Sequence, residues 1–248
     1  MSARQNPWLD APEHPLPVDD EVHVWRADLN RDGATLRELS EALSTDEQLR
    51  ASKFYFQRDR EHFVAARGTL RQLLSRYTGV APRQLRFSYD SYGKPSLSGD
   101  AGAGPLRFNV SHSHGVALYA VTQGREVGVD LEFVREDFGG FEIAERFFSP
   151  REVSALRTLP PDARAVPFFD CWTRKEAYIK ARGEGLSHPL HLFTVSLIPG
   201  EPTALLHTDQ DPREASRWSL LELFPGEGYR AALAVEGEPP TLRCWRWP

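Results

Sequence analysis

An α+β fold in two halves of similar size is predicted by three features of the 248-residue sequence. Some segments repeat apolar residues at three- and four-residue steps, whereas others alternate apolar with polar. The two kinds are interleaved along the chain rather than segregated. Successive strands are separated by short turn signals, which read as hairpins rather than helix crossovers. The boundary falls at Gly124, in the turn Thr122–Arg125, and divides the chain into 1–123 and 124–248.

The first twenty residues hold Pro7, Pro12, Pro15 and Pro17, and are expected to run extended over the surface. Val22–Trp25 reads as a strand. Ser44 and Glu47 have the spacing of a capping box, opening a helix through about Phe56. A second helix covers about Asp59–Tyr77, with Phe63, Ala66, Leu70, Leu73 and Tyr77 on its core stripe. Arg60, Arg67 and Arg71 share the opposite side, and Thr78-Gly79 ends the helix.

Leu85–Phe87 leads into a loop centred on Gly93-Lys94-Pro95, and 98–104 is a glycine-rich loop without the Gly-Lys-Ser/Thr of a phosphate cradle. Leu106, Phe108 and Val110 alternate as a strand, turned by Ser111–Gly115 into Val116–Val121; Val127–Phe133 is the next strand. A helix opens at Ser149 with Pro150 in its first position, and a long one covers about Pro167–Arg182. Strands follow near Phe193–Leu197, Trp218–Glu222, Arg230–Val235 and Thr241–Trp245.

Composition narrows the function classes. With 40% apolar residues, 6 Trp, 7 Tyr and 14 Phe, the chain is not disordered. The longest apolar run, Val116–Val121, is far short of the roughly 18 residues of a membrane span. No signal-peptide pattern opens the sequence, so the cytoplasm is the expected location. Two cysteines cannot build a disulfide framework. A net charge of −5 argues against a nucleic-acid binder, yet Arg50–Lys94 carries 10 basic and 3 acidic residues. That local excess points to one anionic ligand.

A metal site is suggested by one strand and one helix. In Val127–Phe133 alternation puts Val127, Val129, Leu131 and Phe133 on one face, and Gly128, Asp130 and Glu132 on the other. Adjacent carboxylates repel, and a divalent cation relieves the repulsion. In the long helix Phe169, Trp172, Glu176 and Ile179 form one stripe, so Glu176 occupies a core position. A buried carboxylate needs a partner. Metal is one; Lys180, a turn further on, is another through an i, i+4 ion pair, and Lys175 is adjacent. Three carboxylates without cysteine favour a hard ion such as magnesium, which keeps waters and substrate phosphates beside one or two carboxylates. With the basic segment, this points to phosphoryl or pyrophosphate chemistry. His112 and His114 lack a third ligand for zinc, and Ser111-His112 lacks the frame of a nucleophile elbow.

Taken together these motifs resemble the 4′-phosphopantetheinyl transferases of the long, Sfp-type class. The matching pieces are Gly93-Lys94-Pro95, Phe108–Ser113 (FNVSHS), Val127–Glu132 (VGVDLE), Phe147–Glu152 (FFSPRE) and Trp172–Lys180 (WTRKEAYIK), continued by Gly183–Ser187. They stand in the family's order, and the match covers about Arg50–Leu190.

The resemblance implies a fold of two pseudo-symmetric α+β halves with the active site at their interface, in a monomer. It implies transfer of 4′-phosphopantetheine from coenzyme A to a serine of an apo carrier protein, with release of adenosine 3′,5′-bisphosphate. The Sfp-type match tilts the partners toward polyketide and peptide-synthetase carriers with broad tolerance, fatty-acid carriers included. By the same resemblance Asp130, Glu132 and Glu176 are magnesium ligands, and Glu176 is the candidate base. Lys180 stabilises charge on the phosphate bridge, and Lys175 contacts phosphates. Lys94 and Pro95 flank the adenine, Ser111 and His112 meet the 3′-phosphate, and Arg60 and Arg67 contact coenzyme A phosphates. A non-catalytic carrier-protein or coenzyme A-binding module, and a magnesium-dependent nucleotide phosphohydrolase, are the competing readings.

Overall fold

The computed structural model describes residues 7–13, 15, 20–98, 106–135, 140–185, 188–198 and 200–248. The glycine-rich loop expected over 98–104 lies outside them from residue 99, as do Pro17, Leu186 and Ser187. No helix of the described residues is long and apolar enough to cross a membrane.

In the first half, β1 (Leu9–Asp10) and β2 (Glu21–Asp28) precede α1 (Gly33–Glu41), α2 (Thr45–Ser52) and α3 (Gln57–Thr78). A hairpin of β3 (Phe87–Tyr89) and β4 (Pro95–Leu97) carries the Gly93-Lys94-Pro95 loop. β5 (Leu106–Ser113) and β6 (Val116–Gln123) follow. His114 and Gly115 join them with φ of 49° and 84°. Left-handed conformation at both positions suits a two-residue turn whose twist matches the strands.

In the second half come β7 (Val127–Phe133), α4 (Gly140–Phe147), α5 (Pro150–Thr158) and α6 (Ala165–Arg182). Then follow β8 (Phe193–Val195), β9 (Leu205–Thr208), β10 (Trp218–Leu223), β11 (Tyr229–Glu236) and β12 (Thr241–Arg246).

The capping box at Ser44 and Glu47 forms as its spacing predicts, but α2 stops at Ser52 and α3 begins independently at Gln57. Helix α1 was not expected. Asp32 caps it, accepting from the Ala34 and Thr35 amides at 2.8 and 2.9 Å.

Two sheets organise the molecule, in the orders β1-β12-β2-β6-β5 and β10-β11-β7. β12 runs parallel to both β1 and β2. The division at Gly124 therefore does not hold for 241–246, which return to the first half's sheet. One core lies where α3 covers that sheet, around Trp25, Leu73, Leu74 and Tyr119. A second lies beneath α6, around Phe168, Tyr178 and Ala232. A third joins the halves: Val22, Val24, Leu118 and Ala120 meet Val129, Leu131 and Leu233.

Alternation on β7 is thus realised, with its valines and Leu131 turned to the shared core and Gly128, Asp130 and Glu132 toward α6. Gly128 is where the helix comes closest. A Cβ there would run into the Ala177 carbonyl oxygen and the Ala181 amide, so only glycine lets α6 lie so near the strand.

β5 and β7 are edge strands of different sheets laid side by side, and side chains join them. Asn109 Oδ1 accepts from the Val129 amide at 3.0 Å. Ser111 Oγ and Ser113 Oγ accept from the Leu131 and Phe133 amides, each at 3.2 Å. Three polar side chains at alternate positions of β5 satisfy three edge amides of β7 that would otherwise lack partners.

Candidate active site

The seam places the expected carboxylates in one cleft between β5, β7 and α6. Asp130 is nearly buried, and its Oδ1 accepts from the Lys180 ammonium at 2.5 Å and from Ser111 Oγ at 2.9 Å. Lys180 Nζ also reaches Ser111 Oγ at 3.1 Å. Ser113 Oγ donates to Glu132 Oε2 at 3.0 Å. Across the cleft, α6 presents Glu176.

Asp130 Oδ2 and Glu176 Oε1 are sealed from solvent without any hydrogen-bond partner, two of only four such side-chain atoms among the described residues. Leaving a carboxylate oxygen in this state costs free energy unless a bound group supplies a partner. Burial, with Asp130 next in importance, pushes the Glu176 carboxyl up to about 7. Burial and Asp130 also raise Glu132.

Lys180 does not neutralise Glu176 in the i, i+4 manner; it turns to Asp130 instead. Among the described residues, no three His, Cys, Asp or Glu side chains already stand close enough together to hold an ion. The structure brings Asp130, Glu132 and Glu176 to one cleft without drawing them around one point, and the Lys180 ammonium fills the space beside Asp130.

On the other side of β5 lies a cavity of ≈ 700 Å³, whose lining includes Arg50, Phe63, Arg67, Pro95, Val110 and His112. It runs between α3, the β3–β4 loop and β5. Loss of water around the ring, then the Lys180 charge, hold the His112 imidazole below its usual range.

Several residues expected to contact coenzyme A are placed otherwise. Lys175 is fully buried, and its ammonium meets Glu152 at 2.9 Å and the carbonyls of Leu190 and Phe193 at 2.8 and 2.6 Å. It faces the core and not the cleft. Lys94 Nζ ties its loop to Glu126 at 2.8 Å and to the Ala181 carbonyl at 2.7 Å, and Lys94 lines a second, smaller cavity with Pro95, Arg107 and Glu126 rather than the one that holds His112. Ser111 is buried with its hydroxyl engaged on Asp130 and the Leu131 amide, facing the cleft rather than the side of the strand where His112 lies. Arg60 is exposed and is not part of the cavity wall.

Arg67 does line the cavity, but it pairs with Glu47 and donates to Tyr89 Oη at 2.8 Å. Glu47 also holds the buried Arg71. Arg50 was missed as a cavity residue. Its guanidinium lies over Phe63 at 5.3 Å; the sequence signal was its place at the start of the basic segment Arg50–Lys94.

An acidic, lysine-flanked cleft on the seam of two α+β halves, beside a cavity of ≈ 700 Å³, is an arrangement compatible with phosphoryl-group transfer. Comparison with known proteins makes this specific. Residues 126–234 match the model of the 4′-phosphopantetheinyl transferase superfamily, and residues 30–124 that of the 4′-phosphopantetheinyl transferase N-terminal region. The chain is 43% identical to the 4′-phosphopantetheinyl transferase HetI of Nostoc sp. over 98% of its own length and 99% of that protein. It is 32% identical to the 4′-phosphopantetheinyl transferase Sfp of Bacillus subtilis strain 168 over 62% of its length and 66% of that protein. The chain belongs to the 4′-phosphopantetheinyl transferase family and is of the Sfp type.

Proposed function

We propose that the cleft transfers 4′-phosphopantetheine from coenzyme A to a serine of an apo carrier protein with a magnesium ion bound by Asp130, Glu132 and Glu176. The observation that carries this reading is the pair of buried, unpartnered oxygens, Asp130 Oδ2 and Glu176 Oε1, beside Lys180. All-oxygen donors suit a hard cation. Magnesium keeps substrate phosphates and waters in its shell, so three converged carboxylates are not required of the empty protein. When bound, the ion neutralises pyrophosphate charge and polarises the phosphorus that is attacked.

The chain's own residues do the rest. The pyrophosphate enters the cleft and draws the Lys180 ammonium toward the bridging oxygen, where it offsets the charge that develops as the bond breaks. Glu176 accepts the serine proton, directly or through a water. The serine oxygen bonds to the phosphorus of the pantetheine phosphate, and adenosine 3′,5′-bisphosphate leaves with the bridging oxygen. The nucleotide lies in the cavity beyond β5, with Pro95 against the adenine and His112 and Arg67 toward phosphate. One chain supplies both halves of the cleft and works as a monomer in the cytoplasm, on polyketide, peptide-synthetase and fatty-acid carriers.

Intact-protein mass spectrometry tests this. Apo carrier incubated with the protein and coenzyme A should gain one phosphopantetheine with magnesium and none with EDTA. Coenzyme A binding without any gain on all three carrier classes would favour a binding module. Phosphate release without a carrier would favour a phosphohydrolase.

A further inference from the structure

Two serines of β5 repeat one arrangement. Ser111 Oγ accepts from the Leu131 amide and donates to the carboxylate of the preceding residue, Asp130, at 2.9 Å. Two positions on, Ser113 Oγ accepts from the Phe133 amide and donates to Glu132 Oε2 at 3.0 Å. A hydroxyl has one proton to give, so each serine's donor is committed to its carboxylate, while the oxygen accepts from the amide and, in Ser111, from Lys180 as well. The third seam residue, Asn109, accepts from the Val129 amide, and the residue before Val129 is Gly128, which has no carboxylate. The donor bond therefore recurs only where β7 carries an acid.

We propose that Ser113 is a positioning residue for Glu132: it fixes the carboxylate across the seam, so that a divalent cation finds its ligand already oriented when the halves are docked. This rests on the proposed metal reading. Glu132 is half-buried at the seam, and Oε2 is the oxygen that Ser113 holds. Residues that orient a metal ligand through a hydrogen bond commonly change affinity about 10- to 100-fold when removed. Because Ser113 belongs to the first half and Glu132 to the second, cation affinity and seam closure become linked, and the cation in turn strengthens the seam.

The test uses manganese(II), followed by electron paramagnetic resonance, titrated into protein saturated with coenzyme A, with coenzyme A alone as blank. Ser113→Ala should weaken manganese about 10-fold and leave coenzyme A affinity in EDTA within about 2-fold of wild type. Ser113→Thr, which keeps the hydroxyl, should restore most of the loss. The manganese-induced rise in melting temperature should shrink in the alanine variant and return with threonine. If Ser113→Ala does not fold, Ser113→Cys, a weak donor of similar size, replaces it. Wild-type manganese affinity in Ser113→Ala, or equal losses in the Ala and Thr variants, would overturn the proposal. Failure of the wild-type protein to take up manganese would instead overturn the metal reading, and this proposal with it.

Discussion

Lys175 and Glu176 are neighbours on α6, and both bring charge below the surface, yet only the lysine is compensated. Its three ammonium protons have three acceptors: Glu152, the Leu190 carbonyl and the Phe193 carbonyl. Glu152 in turn accepts from the Ser149 and Val195 amides at 2.8 and 2.7 Å. The pair locks α5, α6 and β8 together. Glu176 has a sealed oxygen with no partner and a carboxyl pushed up to about 7. Burial of charge therefore has two uses here. Where every polar atom is paired it specifies the fold, and where one is left unpaired it marks the place for a ligand.

Breaking each side of that comparison should give opposite phenotypes. Glu176→Gln keeps shape and removes the charge. Turnover with carrier and magnesium should fall about 10³-fold, while the metal-free urea midpoint holds or rises. Near wild-type turnover would remove Glu176 from the chemistry. Lys175→Met should do the reverse: unfolding in urea should show a loss of about 3–5 kcal/mol because Glu152 is stranded, with turnover per folded molecule retained. Undiminished stability with lost turnover would return Lys175 to the phosphates.

A subtler effect lies in pH. Metal-free Glu176 holds its proton to about 7 when folded but only to 4.5 in its ordinary state. The folded form is thus favoured below 4.5, and this contribution disappears as pH rises through 7. Relative to Glu176→Gln, wild type should lose about 3 kcal/mol between those limits, and magnesium should reduce the loss. Parallel stability curves for the two proteins would show that Glu176 is not strained. The smallest expected effect lies across β5. His112→Ala should weaken coenzyme A about 10-fold and its 3′-dephospho analogue much less, measured by calorimetry. Equal losses on both would take His112 off the 3′-phosphate.

The cleft was more legible than the cations around it, for a physical reason. Asp130, Glu132 and Glu176 are placed by alternation and helical periodicity, which are local rules, and β7 spans the very residues that alternation gives it. Whether a cation is free for a ligand depends on which acid folding brings beside it. Lys94 meets Glu126, Arg67 meets Glu47 and Lys175 meets Glu152, each pairing made across different elements. No periodicity encodes such partners. The same limit hid the parallel pairing of β12 with β2, whereas the Asp32 cap of α1 was readable in sequence and went unread.

β12 also ties the sheet of the first half to a strand made late in synthesis. It fills the place between β1 and β2, and Trp25 meets the rings of Trp245 and Trp247 at 4.9 and 5.7 Å. A ribosome makes Glu21–Asp28 more than two hundred residues before Thr241–Arg246. Until the later strand emerges, β2 has an open edge and Trp25 lacks its indole neighbours, the condition in which nascent chains recruit chaperones or pair wrongly with other strands. Completion of the first half's sheet therefore requires residues made at the end of the second half.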